Sequence, residues 1–324
     1  MKRTKLITVA CSIVCGSVAM ASEDRSDWPS EVILGTASQG GTYYIYGAGL
    51  AGLINQELGT NITSEVTGGP SQNVSMVQLE EHELGLVTMG PAIDALKGES
   101  PVMPGVVHDK VRAVMPMYSS IFHSVALDRS GITSAEELDG KQVGVGPAGG
   151  TNSIYVPRIF ELIGVDATFR DGGVGDQGGQ VQDGLLDALV LGGGVPLAAY
   201  SQLEAQAEVN IFGFSEADVE AIVSEYPEFS KSVVPSSGYG SLGEDIQTVA
   251  MWNFVVAHAD VPESLVYEIV KVIMESPEAI QQVHRSAQET LPENFIYNTQ
   301  IPFHAGAVRW FEENGYEIPD DLKG

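Results

Sequence analysis

Short apolar runs alternate along this chain with stretches of helical period. Val32-Ile33-Leu34 ends in Gly35-Thr36 and is followed by a helix-like stretch from about Tyr43 to Leu58. Ile62 to Val66 is a second strand, and Gly68-Gly69-Pro70 opens a helix that runs through Leu79. Leu84–Val87, Val111–Met115, Val125–Leu127, Val143–Val145, Ala188–Leu191 and Val209–Phe212 read as further strands. Strand–helix alternation of this kind predicts an α/β protein built on parallel sheets.

Helix punctuation supports the pattern. Ser134-Ala135-Glu136-Glu137 has the spacing of a capping box, with the Ser oxygen on an orphan amide and Glu137 reaching back. Pro262 starts a helix that places Leu265, Ile269, Val272 and Ile273 on one face, and Pro277 marks its end. That stripe is core packing and needs no functional meaning. No solenoid repeat and no low-complexity tract interrupts the chain.

The leading residues stand outside this pattern. Lys2, Arg3 and Lys5 precede an uncharged apolar stretch from Leu6 to Met20, and Ala19-Met20-Ala21 satisfies the small-x-small cleavage rule. Residues 1–21 therefore read as a secretory signal peptide, with the mature chain starting at Ser22 in the periplasm. The stretch is too short to span a bilayer comfortably. Cys11 and Cys15, the two cysteines of the chain, both fall inside it. Thr8 and Ser12 stand where a lipoprotein site would want a Leu-like residue, so lipidation is not expected. The mature chain then has neither disulfide nor thiol chemistry.

The 324 residues suggest two domains, and 44% hydrophobic content is enough to form a core. Sixteen Lys+Arg stand against 43 Asp+Glu, a formal net charge of −27. That balance opposes nucleic acid, whose phosphates need a basic face. It equally opposes docking by charge on an anionic bilayer. No direct membrane insertion is expected after cleavage, and the mature protein is read as a monomer.

Chemistry is concentrated in five Gly-rich segments: 35–47, 67–73, 88–94, 146–153 and 192–197. Four follow an apolar strand and precede a helix, where open α/β sheets bind ligands and helix dipoles favour an anion. None contains Lys or Arg, so an anion there is held by amides, hydroxyls and dipoles. Of the chain's arginines, Arg170, just before Asp171-Gly172-Gly173, is the one placed to approach. Gly47-Ala48-Gly49-Leu50-Ala51-Gly52 fits a dinucleotide pattern but lies inside a helix, where its glycines permit close packing. Gly144 to Gly149 is better placed, but an exported protein has no nicotinamide pool, so no cofactor is expected.

Catalytic motifs are missing: there is no G-x-S-x-G and no H-E-x-x-H, and no two histidines have metal-ligand spacing. Neither a catalytic residue nor a metal ligand is assigned. Tyr43, Tyr44 and Tyr46 follow a Gly-rich turn and suit an apolar ligand body with a polar end, or are plain core aromatics.

Taken in order, Gly35-Thr36 through Gly41-Thr42-Tyr43-Tyr44, Thr67-Gly68-Gly69 with Asn73, Tyr118 and His123 leading into Val125-Ala126-Leu127, and Ser130-Gly131-Ile132 with Leu138-Asp139-Gly140-Lys141 form a specific set. Pro147 to Thr151, Gly194-Val195-Pro196 and His304 to Val308 complete it. From about Ile33 to Gly315 the chain resembles the TAXI family of solute receptors, which serve TRAP-type transporters. It departs from that family at Ile45, Gly149 and Met89, where Pro, Ser and Gln are usual.

The resemblance implies a type II periplasmic-binding-protein fold, with two α/β lobes closing on a ligand at a hinge of crossing strands. One lobe would comprise 31–118 plus 247–322, the other 119–246. It implies a small organic anion, dicarboxylate or glutamate-like, handed to TRAP membrane permease subunits. A ligand-binding protein feeding a sensor kinase and a secreted hydrolase are the alternatives. The expected site takes Thr36, Ala37, Ser38, Gly41, Tyr43, Tyr44, Thr67, Gly68, Gly69 and Met89 from one lobe, and Thr151, Asn152, Ser153 and Val195 from the other. His123 is either a polar ligand contact or a hinge hydrogen bond.

Overall fold

A computed structural model describes residues 25–324. The leader read over residues 1–21, its cleavage before Ser22, and both cysteines lie outside the described residues. Among those described, no helix is long and apolar enough to cross a membrane.

The first half of the fold alternates strand and helix: β1 (Val32–Gly35), α1 (Thr42–Leu58), β2 (Ile62–Glu65), α2 (Pro70–Gln78), β3 (Leu84–Thr88) and α3 (Met89–Leu96). β1 pairs in parallel with both β2 and β3. The chain then enters β4 (Val111–Leu127), followed by β5 (Gln142–Gly144), α4 (Thr151–Ile163), β6 (Thr168–Arg170), α5 (Val174–Gln182), β7 (Ala188–Gly193), α6 (Ala198–Gln206) and β8 (Val209–Phe212). β5 is parallel to β6 and β7. After α7 (Glu216–Glu225) and β9 (Phe229–Val234), β10 (Ile246–His258) returns, and α8 (Glu263–Met274), α9 (Pro277–Gln281) and α10 (Ala305–Glu313) finish the chain.

The sheet order is β2-β1-β3-β10-β4-β7-β5-β6, with β8 on β4 and β9 on β10. Two parallel α/β lobes are thus joined through β4 and β10, which run antiparallel to each other. β4 pairs with β10 from Val111 to Ile121 and with β7 from Ile121 to Ala126. β10 pairs with β9 over Ile246–Met251 and with β3 over Asn253–Ala257. This is the two-lobed binding-protein fold, with crossing strands at its middle.

Two expectations are corrected. Val111–Met115 and Val125–Leu127 are ends of one 17-residue strand, not separate strands. The intervening Pro116, Ser119 and Ser120 suggest a break, but Pro116 sits beside the irregular step of the β4–β10 ladder, where a missing donor is tolerated. Ser134 makes no capping box: Glu137 instead accepts from the Thr133 amide and hydroxyl, ahead of a single 3₁₀ turn. A complete capping box occurs at Ser215 and Asp218, at the start of α7.

The α8 stripe behaves as its period demands. Leu265, Ile269 and Ile273 are buried with Val266, Val270 and Met274, while Val272 is half-buried at the core's edge. Gly47 and Gly49 allow close approach to α1, since a Cβ would meet Thr36 and Val283 side chains at 2.4 Å.

Candidate functional site

Asn73 builds the first wall from inside. Its amide donates to the carbonyls of Thr36 and Leu86 at 2.7 and 2.8 Å, and its Oδ1 accepts from Thr67 at 2.6 Å. That ties α2 to the β1–α1 turn and to β3. A Cβ at Gly35 would lie 2.7 Å from Asn73 Oδ1, which explains the glycine. Thr36 donates to the Glu65 carbonyl, and Thr67 to the Thr36 carbonyl. Both hydroxyls are spent on holding the turn.

The turn so held forms a cleft with the opposite lobe, enclosing a cavity of about 70 Å³. Its lining includes Ala37, Ser38, Gly41, Tyr43, Gly69, Thr151 and Asn152, as expected from the sequence. The other expected residues lie elsewhere. Thr36, Thr67 and Met89 are buried behind the wall. The Gly68 amide is taken by the Gln72 side chain. Ser153 donates to the carbonyls of Ala148 and Gly150. Val195 is buried against Gly238. Tyr44 is exposed and faces a surface groove with Ile45 and Val66. Tyr46 is fully buried and bonds Thr290. Arg170 is exposed, bonds Gln142, and does not reach the cleft.

The expected residue list missed Ser120 of β4, Val174 and Leu191, and also left out Tyr118 of the motif set and Thr42, Thr88, Pro147 and Leu197, which lie within the Gly-rich segments. Beneath Tyr118 and Ser120 lies Asn253, where the β10 ladder shifts register. Its amide donates to the Tyr118 carbonyl at 2.6 Å and to Ser120 at 2.9 Å, and its Oδ1 accepts from Tyr43 at 2.6 Å. A bulge re-aims a side chain in this way. Hinge strand, α1 and cleft floor are therefore one hydrogen-bonded unit. Burial pushes the Tyr43 and Tyr118 hydroxyls well above the usual phenol range, so both keep their protons.

His123 lies under the second lobe, fully buried, and does not line the cleft. The Leu197 amide donates to the Tyr239 hydroxyl at 2.8 Å, which donates to His123 Nε2 at 2.8 Å, and Nδ1 donates to the Ile121 carbonyl at 2.9 Å. Burial lowers the His123 pKa to about 4, which fits a neutral ring with this tautomer. Through Tyr239 the histidine positions Leu197, the residue just before α6.

Six helices begin at the cleft: α1, α2, α3, α4, α5 and α6 each contribute the residue before the helix or one of its first turn. In none does the N-cap side chain bond the first turn. No Asp, Glu, His, Lys or Arg belongs to the lining. The site therefore offers amides, hydroxyls and the positive ends of helix dipoles on apolar walls. It has no side chain able to act as general acid or base at neutral pH.

The lobes are in contact around this cavity. Thr42 donates to the Gly194 carbonyl at 3.1 Å, the Ser71 amide to Gly149 at 3.0 Å, and the Gly175 amide to Gln39 at 3.2 Å. Residues with metal-binding character cluster outside this lining: Glu80, His258 and Asp260 bring ligand atoms within 4.8 Å of one another, where β10 ends at His258. There the Asp260 amide already donates to His258 Nδ1.

Comparison with known proteins extends these observations. MatC from Rhodopseudomonas palustris, solved with bound malate, superposes with a TM-score of 0.58 at 14% identity, covering 88% of this chain and 99% of that one. A second R. palustris protein, solved with adipate, gives 0.56 at 16% identity, over 88% and 97%. A structure described as a periplasmic transporter gives 0.56 at 16% identity, over 83% and 92%. At these identities the likeness speaks to the fold. A family model matches residues 34–315, nearly the whole described chain, and on that match the chain belongs to the NMT1-like family.

Proposed function

We propose that this protein is an exported solute receptor that captures a small organic acid between its lobes and delivers it to a TRAP-type, ion-gradient-driven permease. The observation that carries the reading is the convergence of six helix N-termini on one small cleft without a charged side chain in its lining. Helix N-termini are suited to carboxylates through their dipoles; among first-turn amides, Ser71 of α2, Gly90 of α3, Gly175 of α5 and Ala199 of α6 are already engaged, which leaves α1 and α4 as the starts best placed to donate. Malate and adipate in two structural relatives are carboxylates, which agrees with that chemistry. TAXI-type membership and the permease partner rest on the motif order in the sequence.

Lobe boundaries are proposed at 31–118 plus 247–322 and at 119–246, with β4 and β10 as the hinge. Closure over a solute adds contacts from the second lobe and shifts an open–closed equilibrium. The test is a thermal-shift screen of organic acids, sugars and polyamines, followed by small-angle scattering with each hit. Organic acids raise the melting temperature and compact the molecule. Hits confined to sugars or polyamines defeat the proposal.

A further inference from the structure

Tyr118 is fully buried, lines the cleft, and its hydroxyl has no hydrogen-bond partner in the protein. Thr42 is the neighbour beside it: its hydroxyl gives its proton to the Gly194 carbonyl across the cleft and keeps lone pairs, but no hydrogen bond of normal geometry joins it to Tyr118. The floor beside Tyr118 is otherwise saturated: Tyr43, Ser120 and Asn253 bond one another, and Thr88 bonds Thr151. A buried hydroxyl left unpaired is costly, and such groups are rare without a reason. Thr42 is also the first residue of α1. The unpaired donor and the positive end of a 17-residue helix thus meet at one point of the cleft.

Resting on the organic-acid reading above, we infer that Tyr118 donates to a ligand carboxylate at the start of α1, and that the ligand carries no amino group. An ammonium entering this cleft meets the positive ends of six helices and no carboxylate or imidazole. Its desolvation would be offset only by neutral hydroxyl and carbonyl acceptors, with no anionic partner. A carboxylate meets the opposite situation, and a second carboxylate has other helix starts to use. Between a plain organic acid and an amino acid of the same skeleton, the site selects the former.

Matched pairs test this by calorimetry on the mature protein: glutarate with L-glutamate, succinate with L-aspartate, butyrate with L-2-aminobutyrate, and propionate with L-alanine. In every pair that binds, the member without an amino group binds at least tenfold tighter. An amino acid that is the tighter of its pair overturns the inference while leaving the organic-acid reading intact. Silence of all eight compounds, with a sugar or polyamine binding, overturns both. Tyr118→Phe removes only the hydroxyl and leaves the ring on Tyr43 and Tyr46. It weakens the tightest acid at least tenfold and leaves the melting temperature of the free protein unchanged or raised. Unchanged affinity removes Tyr118 from the ligand's contacts.

Discussion

The hydroxyls of Thr88 and Thr151 lie 2.7 Å apart, the first at the end of β3 and the second at the start of α4. They meet from opposite lobes at the edge of the cleft, so this bond exists only when the lobes are together. Replacing Thr151 by Val keeps the shape and removes the hydroxyl. One neutral hydrogen bond contributes about 1 kcal/mol, so the closed-to-open ratio falls about fivefold. Distance measurements between labels on the two lobes, without added ligand, show a larger open fraction in Thr151→Val.

Closure also depends on bare backbone. Gly69 has φ +108°, and a Cβ there would sit 3.0 Å from the Gly150 Cα of the other lobe. Neither problem is relieved by rotating a side chain. Gly69→Ala strains the turn by about 1–3 kcal/mol and obstructs approach of the lobes. Ligand affinity then drops by more than the loss in folding stability alone accounts for. Comparing calorimetry with denaturant melts of the same variant separates the two.

These closing elements are the part of the site that was legible in the sequence. Gly41, Gly69 and Thr151 announce themselves because a glycine-rich turn between strand and helix is visible as local composition. Tyr118, Ser120 and Asn253 gave no such signal. They belong to β4 and β10, buried on both faces, where polar residues in an apolar run read as interruptions. Nothing in the sequence said that Asn253 would stand at a ladder shift opposite Tyr118. Thr36, Thr67 and His123 were legible as polar residues near the site, but not their direction. Their hydrogen bonds run inward, to Glu65, Thr36, Ile121 and Tyr239.

The three glycines spaced along α1 make a contrast that needs no ligand. Gly49 has Val283 at 2.4 Å from a would-be Cβ, whereas nothing lies within 4 Å of one at Gly52. Gly52→Ala gains helix propensity without a clash and stabilises by about 0.5–1 kcal/mol. Gly49→Ala has the same propensity gain but must push Val283 aside, so it ends less stable than Gly52→Ala by about 1 kcal/mol or more. Urea melts of both variants give the order directly. Equal stability of the two would mean that α1 and the segment around Val283 are not packed together in solution.

His123 makes stability depend on pH with a definite sign. Burial lowers its folded pKa to about 4, against 6.5 for the free side chain, and His304, buried at the start of α10, is lowered to about 4 as well. Between those values the unfolded chain takes up a proton that the folded chain refuses. Each histidine therefore contributes fully above about pH 6.5, and its contribution falls away as pH drops toward 4. A depression of this size amounts to about 3 kcal/mol for each group, enough to dominate the acid limb of a marginally stable domain. Replacing His123 by Gln removes the titration and also disturbs the Tyr239–Leu197 chain, so stability falls at neutral pH and the gap to the natural protein narrows as pH drops. The slope is the informative quantity. Below pH 6.5 it is smaller in His123→Gln than in the natural protein by up to one proton, about 1.4 kcal/mol per pH unit. Denaturant melts at half-unit steps from pH 4 to 7.5 give it. Parallel curves for the two proteins would mean that the His123 ring takes up its proton in the folded state as readily as in the unfolded chain.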